Sequence, residues 1–183
     1  MNTPSRTRSR LQLLLVAAFF LGSFGIAAAL FFGGWKPGQT RNIGEMLEPY
    51  PDLRPVPLVQ ADGQAWDWQP QARNWHVVFL APENCGAPCA GMLDALHRVW
   101  LSEGRHADRL KVLWFGELPE GVERFPGLVP MQPSPGLQAL LPDSPSPQAL
   151  PAYLADPNGY LVLRYPAGFD PSGLRKDLGR VLK

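Results

Sequence analysis

The sequence predicts a mixed α/β domain carried behind one membrane-spanning helix. Three observations lead there. Residues 11–32 form an uncharged, apolar run. Two further apolar runs, Trp75–Leu80 and Leu110–Phe115, flank a stretch with helical periodicity. Two later short runs, Ala152–Ala155 and residues 160–165, lead into a second helical stretch. A length of 183 residues, 45% of them apolar, suits one domain with a substantial core.

In the first run only Gln12 and Ser23 are polar. At ~1.5 Å per residue, a helix of that length reaches across a ~30 Å hydrocarbon core. Arg6, Arg8 and Arg10 precede it with no acid among the first ten residues. The positive-inside rule therefore predicts a cytoplasmic basic tail over 1–10, a transmembrane helix over 11–32 and a periplasmic C-terminal domain in a bacterial inner membrane. Trp35 stands where an interfacial aromatic belongs. A cleaved signal peptide is the competing reading. The run, however, exceeds an h-region of about 7–15 residues and continues past Ala27–Ala29.

Residues 33–54 hold several prolines and glycines without a period and read as a linker. The domain is expected over 55–183. It opens with two short runs around Asp62-Gly63, a hairpin signal. Trp75–Leu80 has the near-continuous apolar character of a central strand covered on both faces. A helix follows from Pro88, with Met92, Leu93, Leu96, Val99 and Trp100 on one stripe. Leu110–Phe115 reads as a second buried strand. The stretch 118–151 is proline-rich and reads as loop with at most a short helical turn over 136–141. Asp156-Pro157-Asn158-Gly159 fits a hairpin turn. Asp170 caps a last helix with Pro171 at its first position and Leu174, Leu178, Val181 and Leu182 as its stripe. Arg180 and Lys183 suit its C-terminus. This order, a strand–helix–strand unit followed by a hairpin and a terminal helix, is the layout of a thioredoxin-like fold with an added N-terminal hairpin.

Seventeen basic and sixteen acidic residues give a formal charge of +1, which suggests no nucleic-acid partner. Two cysteines exclude a disulfide scaffold and a four-cysteine metal site within this chain. Cys85 and Cys89 lie in the turn between a buried strand and a helix start. The positive end of the helix favours a thiolate, the species needed for disulfide exchange and for soft-metal binding. Gly86 and Pro88 let the turn bend so that the sulfurs meet. A structural disulfide is the competing reading, although a short loop gains little under the loop-entropy model.

The C-x-x-x-C turn after a strand, the Tyr153-Leu154-x-Asp156-Pro157-x-Gly159 hairpin and the final Asp170-Pro171…Leu174 helix resemble the SCO/SenC proteins. Those are membrane-anchored thioredoxin-fold proteins that help build the binuclear copper site of cytochrome c oxidase. The resemblance covers about residues 57–183. It implies copper as a candidate ligand of Cys85 and Cys89, and an oxidase subunit or another copper-site assembly factor as partner. In that family a histidine shortly before the hairpin completes the copper site. Residues 144–151 here contain none. The chain's histidines are His76, His97 and His106. His97 lies eight residues beyond Cys89, roughly 12 Å along a helix axis. Ala90 stands where the family has a proline, and Met92 and Met131 are conceivable soft ligands. Leu150-Pro151 occupies the place where thioredoxin-like oxidoreductases carry a cis-proline, so Pro151 is a candidate supporting residue.

Cysteines kept with the histidine absent tilt the expectation toward a thiol–disulfide reductant in oxidase copper-site assembly. Cys85 would be the attacking sulfur and Cys89 the resolving one. A Cu(I) chaperone using the same sulfurs remains open. So does a non-catalytic assembly module with exposed tryptophans and the proline-rich loop as its contact surface.

Overall fold

The computed structural model describes residues 6–34, 41–143 and 145–182. Trp35, Ser144 and Lys183, and residues 1–5 of the expected basic tail, lie outside the described residues. Two compact units divide at Arg41. The first contains helix α1 (Arg6–Phe32). Its stretch Arg10–Phe32 has a mean hydropathy of 2.4 and is long and apolar enough to cross a membrane.

The second unit, Asn42–Lys183, is built on a six-stranded sheet. Its strands are β1 (Glu45–Met46), β2 (Trp75–Leu80), β3 (Leu110–Phe115), β4 (Leu128–Met131), β5 (Ala152–Ala155) and β6 (Leu161–Tyr165). The order across the sheet is β1-β6-β5-β2-β3-β4. Strands β2, β3 and β4 run parallel, while β5, β6 and β1 pair antiparallel. Helices α2 (Ala87–Ser102), α3 (Pro135–Leu140) and α4 (Pro171–Val181) complete it.

The expected two-sided burial of the central strands is found. Val77 and Phe79 of β2, with Val112 and Trp114 of β3, join the core beneath α2 and α4. Val78, Leu80, Leu113 and Phe115 join the opposite core, with Leu137 of α3 and with Leu53 and Leu58. Phe79 and Trp114 stack at 4.3 Å between ring centroids. Both are fully buried, which removes from water the side chains worth most per residue, about 1.5–3 kcal/mol for one of phenylalanine size.

Three local features differ from the sequence reading. The sequence places a linker through Arg54, whereas residues 42–54 fold onto the sheet. The cause is Asp177 of α4, buried and accepting hydrogen bonds from Ile43 N–H (2.8 Å), Gly44 N–H (2.8 Å) and the Tyr165 hydroxyl (3.0 Å). The stretch 118–151 contains strand β4 as well as the small helix. Its Pro130 lacks an N–H, which the edge of the sheet tolerates, and the Pro130 carbonyl accepts from Ala61 N–H at 2.9 Å. The N-terminal hairpin is a turn with one bridge, Val59 to Ala65, and Gln60 bridges to Met131 instead.

Candidate functional site

Strand β2 delivers the chain to Ala81, whose N–H donates to the Phe115 carbonyl at 2.8 Å. The chain then reverses sharply. Asn84 has φ 55° and Gly86 has φ 54°. With ψ −129°, Gly86 occupies backbone space that is strained for any residue with a Cβ. It is the N-cap of α2, and Pro88 stands in the first turn, where an N–H has no helical partner to lose. The Ala90 N–H closes the turn on the Gly86 carbonyl at 3.1 Å.

This geometry brings the two predicted sulfurs together. Cys85 and Cys89 form a disulfide with a Cα–Cα distance of 5.5 Å. Cys85 precedes the helix and Cys89 lies in its first turn. Both belong to the core cluster under α2 that also holds Phe79, Trp114 and Leu150. Cys85 is 7% exposed and Cys89 1%, so Cys85 is the more accessible residue of the pair.

An open cleft of about 860 Å³ leads to the disulfide. Its walls come from the segments after β2, β3 and β4, the carboxyl ends of the parallel strands. Crevices at such ends are the usual ligand sites of open α/β sheets. Glu83, Glu117 and Glu120 are exposed residues on this cleft, and among the described residues no lysine, arginine or histidine lines it. The Trp114 indole N–H donates to the Glu117 carbonyl at 3.1 Å, which fixes one wall to the core. Sequence reasoning missed these acids because they belong to separate loops. The one available signal was that each follows an apolar strand.

None of the three imidazoles joins the cysteines. His76 is the second residue of β2, whose carboxyl end carries the cysteine turn, about 13 Å further at ~3.3 Å per residue. It is buried between Trp66 and Trp68, edge to face at 5.6 and 4.9 Å. Burial pushes its pKa down to about 4, against a weaker opposing hydrogen bond to the Asp156 backbone. His97 stacks on Phe125 at 4.6 Å, and the His106 Nε2 accepts from Arg105. Met92 packs against the cysteine core, whereas Met131 sits in the core on the other face. Among the described residues, no three His, Cys, Asp or Glu side chains come together as a metal group. Two thiolates would suit Cu(I). The donors around them do not fit Cu(II), which prefers imidazole nitrogen.

Pro151 is placed differently from expectation. The cis peptide bond among the described residues is Glu48-Pro49, so Leu150-Pro151 is not cis. Pro151 does not line the cleft. It follows the Ser146–Ala149 bridge directly into extended β5, a path that the favoured trans isomer serves. The tryptophans offered as a contact surface are half-buried or buried wherever they are described.

The family model for a transmembrane-like, thioredoxin-like, C-terminal domain matches residues 75–183. The chain belongs to this transmembrane-like, thioredoxin-like family. No curated protein matches its sequence. Solved structures similar to this thioredoxin-like chain include three Sco proteins. Apo Sco1 from Thermus thermophilus has 16% identity and a TM-score of 0.54, over 80% of this chain and 99% of its own. BsSco, described as a member of the Sco family of cytochrome c oxidase assembly proteins with a disulfide switch, has 11% identity and a TM-score of 0.53, over 76% and 97%. Arabidopsis thaliana ScoI with copper bound has 14% identity and a TM-score of 0.50, over 76% and 98%. These likenesses establish the thioredoxin-like fold expected from the order of elements.

Proposed function

We propose that this chain is a membrane-anchored thiol–disulfide reductant acting in the assembly of the cytochrome c oxidase copper site. One observation carries the redox reading: the Cys85–Cys89 disulfide closes across a helix start at the floor of an open cleft. In the reduced protein the Cys85 thiolate attacks a client disulfide and one client sulfur leaves as a thiolate. Cys89 then attacks the mixed disulfide, the Cys85–Cys89 bond closes, and the second client sulfur leaves. Two electrons pass to the client, and a dithiol donor resets the pair. The assembly context is supported by the C-x-x-x-C and hairpin motifs and by the fold shared with the Sco proteins. Helix α1 supports anchoring, and Arg8 and Arg10 ahead of its apolar stretch favour a cytoplasmic N-terminus with a periplasmic domain in the bacterial inner membrane.

A Cu(I) cargo held by the two thiolates is the second reading, favoured by their joint placement at one helix start. Trapping separates the two. Cys89→Ser accumulates a mixed disulfide through Cys85 with a model disulfide peptide, and Cys85→Ser accumulates none. Equal trapping by both variants, or by neither, contradicts the assigned roles. Tight Cu(I) binding by the reduced chain with no trapping favours the cargo reading.

A further inference from the structure

We propose that the cleft over Cys85 and Cys89 selects its client by charge, taking an extended cysteine-bearing peptide segment whose flanking residues are positive and discriminating against anionic thiols. This rests on the thiol–disulfide reading of the pair.

Shape and charge at the same place carry the argument. The volume of about 860 Å³ falls in the range of ~300–1,000 Å³ usual for ligand sites. That is more than one cysteine side chain fills, so the residues on either side of a client cysteine enter as well. The walls are stiff. Pro82, Pro119, Pro133 and Pro145 stand around the opening, each with φ fixed by its ring. Such a cleft is largely preformed, and an extended segment can be laid into it without ordering the walls first. Glu83 stands on the approach to Cys85, while Glu117 and Glu120 stand on the opposite loop. With no cation among the described residues that line the cleft, the three formal negative charges of Glu83, Glu117 and Glu120 meet whatever enters. A cationic segment is drawn in by this field, and an anionic thiol must bring a like charge against three exposed carboxylates. Residue charge thus acts on encounter, and Cys85 does the chemistry.

The test uses the full chain in a non-ionic detergent with the pair oxidised. Three short peptides each carry one cysteine flanked by lysines, by serines or by glutamates. Each peptide thiolate attacks the Cys85 sulfur, Cys89 leaves as a thiolate, and a second peptide thiol releases the peptide disulfide. Each rate is divided by the same peptide's rate with a neutral small disulfide, which removes differences in thiol reactivity. At ~10 mM ionic strength the lysine peptide is expected to react at least about tenfold faster than the glutamate peptide. The ratio should fall toward one at ~0.5 M salt, where the Debye length is a few ångströms. The triple variant Glu83→Gln, Glu117→Gln, Glu120→Gln should also bring it toward one. A wild-type ratio near one at low salt, with the serine peptide reacting normally, overturns the proposal. So does a ratio insensitive to both salt and the three substitutions. Failure of the serine peptide to react at all overturns the thiol–disulfide reading instead, and charge selection with it. Should the triple variant not fold, the salt dependence alone decides.

Discussion

His76 shows how far a residue's surroundings can depart from what its identity suggests. In the sequence it reads as a surface or core histidine rather than a metal ligand. In the fold it is walled in by Trp66 and Trp68, and its Nδ1 has no hydrogen-bond partner. Protonating it there would bury a charge. The unfolded chain takes up this proton near pH 6.5, but the folded chain resists until about pH 4. Between those values the unfolded state binds more protons, so stability is complete above about pH 6.5 and falls as pH drops through the window. At ~1.4 kcal/mol per pH unit the loss approaches about 3 kcal/mol. Urea unfolding from pH 8 to 4 should show this slope, and His76→Phe should flatten that part of it. An unchanged slope in the variant would place the pH dependence elsewhere. At Cys85 and Cys89 the case is reversed. Their identity, spacing and position after an apolar strand made the site legible without any structure.

At the level of elements, legibility followed the range of the interactions. Strands β2 and β3 were readable because burial on both faces leaves a continuous apolar run. Helices α2 and α4 were readable from a proline in the first turn and an apolar stripe. Strand β4 is four residues long and contains Pro130, which argues against a strand unless it is known to lie at the edge of the sheet. Strand β1 has only two residues and no local signal. It exists because Asp177, more than 130 positions away, collects the Ile43 and Gly44 N–H groups. Gly44 also lies so close to the Tyr165 ring that a Cβ would come within 2.8 Å of it. Asp177→Ala leaves two buried donors, the Gly44 N–H and the Tyr165 hydroxyl, and the part-buried Ile43 N–H without their acceptor, at about 1–3 kcal/mol for each buried one when nothing replaces it. The expected result is a loss of several kcal/mol, with amide protection lost first at residues 43–46. Protection there equal to wild type would show that β1 is held by its pairing with β6 alone.

The whole molecule combines a helix long enough to span a membrane with a thioredoxin-like domain whose cysteine pair opens on an acidic cleft. The acids of that cleft escaped the sequence reading because loops separated along the chain by β3 converge only once the parallel strands are assembled. The proposed function requires the Cys85–Cys89 bond to exchange rather than merely brace the fold. The reduction potential of the pair in the full chain, poised against a thiol redox buffer, tests it most directly. A value among oxidoreductase pairs, about −270 to −120 mV, is expected, with exchange fast enough to equilibrate. A value far below about −300 mV, with no exchange, would make the bond structural and contradict the account.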